Sequence, residues 1–476
     1  MRKDRTMTPR PCPVTRPATL RLPLPGPACL VPARPRRRHA GLAAAALLAL
    51  LAGCGDREVI LPGVRLDPRA VISPDGPGIE GEAVAAGAAL SLPGVGGNAD
   101  WTHRAGSPAH VSGNLALAGG GTTRIWSAAV GQPVGQRHRI TADPVVAGGL
   151  VFTLDSRARV TATSTSGGRA WSTDLTPASE AGDSTSGGGI AYEGGRVFVT
   201  TEYGELVALD ARSGGILWRQ KVESPISGAP TAAGGTVYVA ARDATGWAVR
   251  AEDGRVLWTV SGTRDIAGWM GVSAPAVSGG TAVFPFSSGQ LLAVDTATGL
   301  ERWSNTVAGR RPGRAIALIR DMTGDPVIAG NRVIAGTSSG RIAAFDLATG
   351  QQLWSARDGA MSPVLVAGNS VFAISDESRL IRLDLASGGK VWEVPMPDFV
   401  DARIKRQDRV WAHHGPVLAN SRLYVASSDG ALRVFDPGSG ALVGQGAIPG
   451  GAGTAPVVAG GTLYVTGRDG LLHAFR

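Results

Sequence analysis

The chain has 476 residues, with 68 Gly, 31 Pro, 18% charged side chains and few aromatics apart from 11 Trp. That balance suits short strands and tight turns rather than long helices, which draw on Leu, Glu and Lys. The net charge of +9 suggests a nucleic-acid binder, but ten Lys/Arg and a single acid, Asp4, fall in residues 1–53, leaving 37 charges of each sign beyond. Phosphate binding needs basic groups clustered on the folded body, so nucleic acid is excluded as a partner.

In chain order, a basic flank at Arg34–Arg38 precedes "GLAAAALLALLAG", an apolar run of roughly a dozen residues, too short for a membrane-spanning helix and suited to a signal peptide. The run ends in Leu51-Ala52-Gly53-Cys54, which resembles the bacterial lipobox, whose cysteine is acylated and becomes the new N-terminus. Residues 1–53 are therefore read as signal peptide and Cys54 as the lipidation site. Cys12 and Cys29 precede the cut, so a lipidated Cys54 leaves no thiol for a disulfide, a zinc site or catalysis. By the usual sorting rule Gly55, not Asp, after the cysteine sends such a lipoprotein to the periplasmic face of the outer membrane. Residues 54–99 are Gly/Ala/Pro-rich and aperiodic, and read as the lipidated cysteine and a flexible tether.

From about Ser91 onward a repeat dominates. "GGRVFVTTEYGELVALDARSGGILW", ending at Trp218, is echoed by copies ending at Trp303, Trp354 and Trp392. In all four an Asp (Asp210, Asp295, Asp346, Asp384) stands eight residues before the Trp. Weaker copies end at Trp171 and Trp258, and a seventh has Gly444 in the Trp slot. Each unit holds about four period-two strands separated by Gly, Asn or Asp turns, which is a propeller blade. The Asp-x-x-Thr/Ser-Gly stretch is turn chemistry, and the Trp is assigned to packing between blades rather than to a ligand. The final unit stops at Arg476 one strand short, and "GTTRIWSAAV" around Trp126 supplies the missing strand. The expected fold is all-β: an eight-bladed propeller over residues 100–476, its last blade closed by an N-terminal strand.

No catalytic constellation emerges. "AGGGTT" at Ala118–Thr123 lacks the Lys of a phosphate loop, and no Gly-x-Ser-x-Gly elbow is present. His413 and His414 are adjacent on a strand and should face opposite ways, which argues against a metal site there. The reading is of a non-enzyme without cofactor or metal.

The strand-and-Trp repeat resembles the blades of pyrroloquinoline-quinone-dependent dehydrogenases, whose cofactor site includes a vicinal disulfide that this sequence cannot make. A quinone dehydrogenase and a ligand-binding periplasmic propeller are the alternatives to the leading reading. Signal, lipobox, tether and blades together, with "NADWTHRAGSPAHVSGNLAL" from Asn98, "SAPAVSGGTAVFPFSSGQLLAVDTATG" from Ser273 and "GPVLANSRLYVASSDG" from Gly415, resemble the BamB family, in the form common among alphaproteobacteria. The resemblance implies a scaffold lipoprotein of the outer-membrane β-barrel assembly (BAM) complex. Such a scaffold docks on the periplasmic domain of BamA beside other BAM subunits and aids nascent outer-membrane proteins. It implies docking through the loops Ile266–Pro275 and Ala317–Pro326, between blades three and four and blades four and five. Trp269, Met270 and Gly271 replace the family's Leu-Arg-Gly; Asp321 matches its docking Asp, flanked by Met322 and by Arg320, which substitutes for the missing Arg. Trp and Met in a loop that interrupts the repeat are also types favoured at interface hot spots.

Overall fold

In the computed structural model the described residues are 89–476, apart from 181–186, 266–273, 308, 310, 312–318 and 402. The signal peptide, Cys54, most of the tether and Trp269–Gly271 fall outside them. Among the described residues the strands form eight four-stranded antiparallel sheets, the blades of a propeller. Their innermost strands, from blade one to blade eight, are Val145–Ala147, Gly188–Glu193, Thr231–Ala233, Ala276–Ser278, Gly324–Ala329, Leu365–Ala367, His413–Ala419 and Val457–Ala459. Seven blades are consecutive in sequence. The eighth is completed by Arg124–Ala129, which pairs with Leu471–Phe475 and sets Ser127 opposite His473. The ring closes as the sequence predicts, and the pairing covers what would be an open edge in the last blade.

Blade packing follows from the repeat. The middle strands are buried on both faces, and Phe152, Phe198, Phe284, Phe345, Phe372 and Phe475 have no exposed surface. The outer strands alternate between exposed and half-buried, as in Ile216–Lys221, so one face packs on the ring and the other meets solvent. On that strand the Trp indole N–H donates to a backbone carbonyl of the next blade's Asp turn. The series runs Trp171 to Ala211, Trp218 to Ala251, Trp258 to Thr296, Trp303 to Leu347, Trp354 to Leu385 and Trp392 to Pro437, at 2.8–3.2 Å. The carboxylate of each turn Asp caps its own turn; Asp210 Oδ1 accepts from the Arg212 and Ser213 amides and from the Ser213 hydroxyl. The turn glycine is obligatory. Gly388 has φ +73° and a Cβ there would lie 2.4 Å from the Trp354 ring.

Across the sheet, the residue opposite the Trp is small: Ala162, Ala208, Ala248, Ala293, Ala344 and, in the closing pair, Ala474. Blade six breaks the pattern with Arg382 opposite Trp392. Arg382 is buried and donates to Ser370 Oγ and, at 3.2 Å, to the Ala89 carbonyl. Ser91 and Asn369 exchange a further bond, and Leu90 and Leu92 pack on the hydrophobic cluster of blades six and seven. Residues 89–92 of the expected tether thus lie on the propeller, because Arg382 and Asn369 bond the backbone of Ala89 and Ser91.

Residues 98–118 form a strap that visits every blade in order. Asn98 donates to Val458 in blade eight. Trp101 exchanges two backbone bonds with Val146 in blade one, and the Thr102 carbonyl accepts from Tyr192 in blade two. His103 Nε2 accepts from the Ala232 amide in blade three. Pro108 and Ala109 accept from Val277 and Ile328 in blades four and five. Val111 packs on the cluster between blades five and six, Leu115 donates to Leu418 in blade seven, and Ala118 donates to Gly461 back in blade eight. One segment therefore ties the innermost strands together around the axis.

Candidate functional site

The loop entering blade five holds three of the predicted docking residues, and the structure separates them. Arg320 is exposed. Asp321 is 2% exposed, with Oδ1 accepting from the Met322 amide at 2.9 Å. Met322 is fully buried and packs with Val283, Leu291 and Val307 in the core between blades four and five. Met322 is thus a core residue rather than the contact residue expected from sequence, because its apolar thioether is fully buried within the inter-blade cluster. Asp321 likewise acts from within, fixing its own turn. Trp269, Met270 and Gly271 lie outside the described residues.

Sequence reasoning missed the residues that hold these loops. Arg311 forms a bidentate pair with Asp376 at 2.6 and 3.0 Å, reaches Glu377 at 3.0 Å and donates to the Arg357 carbonyl. Its side chain bridges blades five and six, and the two carboxylates outweigh burial to favour its charged form. Ahead of blade four, the Ala274 amide donates to Asp325 Oδ1 in blade five at 3.2 Å. The same Asp325 carboxylate, with no exposed side-chain surface, pairs with the strap's Arg104 at 2.7 Å. Strap, blade-four entry and blade five thus meet at one buried ion pair, and a lone Arg in a loop 221 residues from its partner gives no sequence signal.

Beneath the strap, on the propeller axis, lies a cavity of about 210 Å³. Its walls come from the strap and from the entries to the innermost strands of blades one, six, seven and eight, including Thr141, Asp143, Ser362, His414 and Thr454. His413 and His414 do face opposite ways. His413 bonds Ser427 Oγ and the Pro397 carbonyl, while His414 faces the cavity. Burial pushes His414 down to about 4 despite Asp143 nearby, and pushes the strap's His103 and His110 down to about 4 and about 3. All three are neutral at pH 7. Among the described residues no group of three or more His, Cys, Asp or Glu is placed to hold a metal ion.

The sequence profile of the family "Outer membrane protein assembly factor BamB" matches residues 156–394 and 386–476, most of the ring. The chain belongs to this family. The BamB of Yersinia pestis is 28% identical over 249 residues, 51% of this chain and 63% of that protein. The match therefore spans less than two thirds of the curated relatives' length. In the solved structures, BamB from Moraxella catarrhalis superposes with a TM-score of 0.60 at 21% identity, covering 75% of this chain and 99% of that one. A quinohemoprotein alcohol dehydrogenase from Comamonas testosteroni superposes equally well, TM-score 0.60, at 16% identity over 79% of this chain and 80% of its own. At such identities the likeness to both is one of fold, which the two share whatever their chemistry.

Proposed function

We propose that this chain is a non-catalytic scaffold lipoprotein of the outer-membrane β-barrel assembly machinery, anchored through Cys54 at the periplasmic face of the outer membrane. Residues 1–53 are its signal peptide, and residues from Cys54 to the segment caught by Arg382 are its tether. The propeller docks on the periplasmic domain of BamA through the loops entering blades four and five, beside other BAM subunits, and aids insertion of nascent outer-membrane proteins. The observation that carries this reading is the family match across both stretches of the ring, 156–394 and 386–476. Physical support comes from the loops. Exposed Arg320 stands beside a turn fixed by Asp321 and Met322. A charged side chain on a rigid mount meets a partner at low entropic cost. In this reading Trp269, Met270, Gly271 and Arg320 make the contact, and Asp321 with Met322 holds the platform.

The test is a pull-down with the BamA periplasmic domain. Trp269→Ala combined with Arg320→Glu should weaken capture at least tenfold while leaving the melting temperature unchanged. Undiminished capture would overturn the mapping of the docking face. Cys54→Ala should shift the protein from the membrane to the soluble periplasmic fraction.

A further inference from the structure

The axial cavity has a lining with a definite chemical bias. His110 is 2% exposed and its ring is held by Nδ1 against the Pro326 carbonyl at 2.7 Å. A carbonyl only accepts, so Nδ1 carries the proton and Nε2 presents a lone pair. That Nε2 is buried and has no hydrogen-bond partner among the described residues. A buried acceptor left unmatched costs on the order of 1–3 kcal/mol. The backbone compounds the cost, since His110 sits at φ +61° and Ala105, also in the lining, at φ +53°. Unmatched polarity and backbone strain thus coincide on the strap's inner side.

The remaining polar groups lean the same way. Thr141 and Ser362 give their hydroxyl protons to the Gly188 and Gly415 carbonyls, so toward the cavity they offer only lone pairs. Asp143 accepts from the Ala455 amide at 2.8 Å and forms no ion pair among the described residues. The charge of Arg104 is balanced by Asp325. His414 and His110 are uncharged at neutral pH, and Arg468, which also acts on His414, is exposed to solvent. Asp143 is therefore the one uncompensated charge in a lining rich in acceptors. The rest of the wall is apolar, with Ile140, Val364, Leu365, Val417 and Val457.

We infer that the axial cavity is a binding site for a compact organic ammonium compound, its N–H groups directed at Asp143 and His110 Nε2 and its carbon body against the aliphatic wall. A volume of about 210 Å³ is room for about seven waters at ~30 Å³ each, which limits the ligand to fragment size. No lining residue belongs to the docking loops among the described residues, and occupation of the cavity does not depend on the assembly reading.

The experiment is calorimetric titration of the full chain, purified in detergent, with three probes of one shape and different charge: benzylamine, benzyl alcohol and benzoate. Benzylamine should bind at least tenfold more tightly than benzyl alcohol, and benzoate should not bind. Asp143→Asn should remove the preference for the amine, and His110→Phe should weaken the amine at least fivefold; a melting curve for each variant separates lost binding from lost folding. Equal binding of alcohol and amine, binding of benzoate, or a cavity that takes up only water would overturn the inference. So would Asp143→Asn folding normally with the amine preference intact.

Discussion

Removing the Arg104 side chain should destabilise the propeller more than any other single change in the strap. Arg104 Nε lies 2.7 Å from Asp325 Oδ2, with side chains 12% and 0% exposed. In Arg104→Ala the Asp325 carboxylate stays buried without its counter-charge, and breaking a buried pair in this way costs about 3–5 kcal/mol. Unfolding entropy near ~2.1 cal/mol/K per residue over roughly 380 ordered residues is about 0.8 kcal/mol/K, so the melting temperature should fall by about 4–6 °C. The double variant Arg104→Met with Asp325→Asn removes both charges but keeps a side-chain oxygen to accept from the Ala274 amide. It should recover at least about half the loss. Scanning calorimetry of wild type, Arg104→Met, Asp325→Asn and their double variant closes the cycle. A shift below about 1 °C for Arg104→Ala, or simple additivity of the two singles, would refute the assignment of strap anchoring to this pair.

Acid should loosen the same region. His103 and His110 are held near pKa 4 and 3 in the fold against 6.5 when unfolded, so the unfolded chain binds more protons between those values. The stability from burying them neutral is complete above pH 6.5 and is lost as pH falls toward 4. His110→Phe should flatten that loss in urea titrations at pH 7, 5.5 and 4.5, and an unchanged slope would count against it. In the inter-blade contacts, Trp354→Ala should cost about 3–5 kcal/mol, since its side chain is fully buried and its N–H holds Leu385. Gly388→Ala, in the turn that Trp354 covers, should also lower the urea midpoint, whereas tolerance of both would contradict Trp-on-turn packing. Arg382→Ala should release residues 89–92, read as faster proteolytic clipping there; unchanged digestion would show that Leu90 and Leu92 suffice.

The ring was legible because its rules are local and repeated. Period-two strands, Asp turns and a Trp at fixed spacing specify a blade, and the missing final strand pointed to Trp126 and its pairing with Ala474. What the sequence hides is held by partners far apart in the chain. Arg104 and Asp325, Arg311 and Asp376, and Arg382 and Ala89 become neighbours only once the ring exists. "NADWTHRAGSPAHVSGNLAL" is non-repetitive, yet nothing in it says that it contacts each blade in turn. Met322 shows the opposite failure: matched to a docking loop by position, it faces inward because the loop turns at Asp321. The opposition of His413 and His414 follows from their adjacency on a strand, but the cavity that His414 meets needs three further strand entries and the strap.

The scaffold role is tested most directly by isolating this protein, tagged at its C-terminus, from detergent-solubilised outer membranes and identifying what comes with it. The account predicts that BamA co-purifies in near-stoichiometric amount and is lost with the Trp269→Ala, Arg320→Glu double variant. Recovery of the folded wild-type propeller from those membranes without BamA would contradict it.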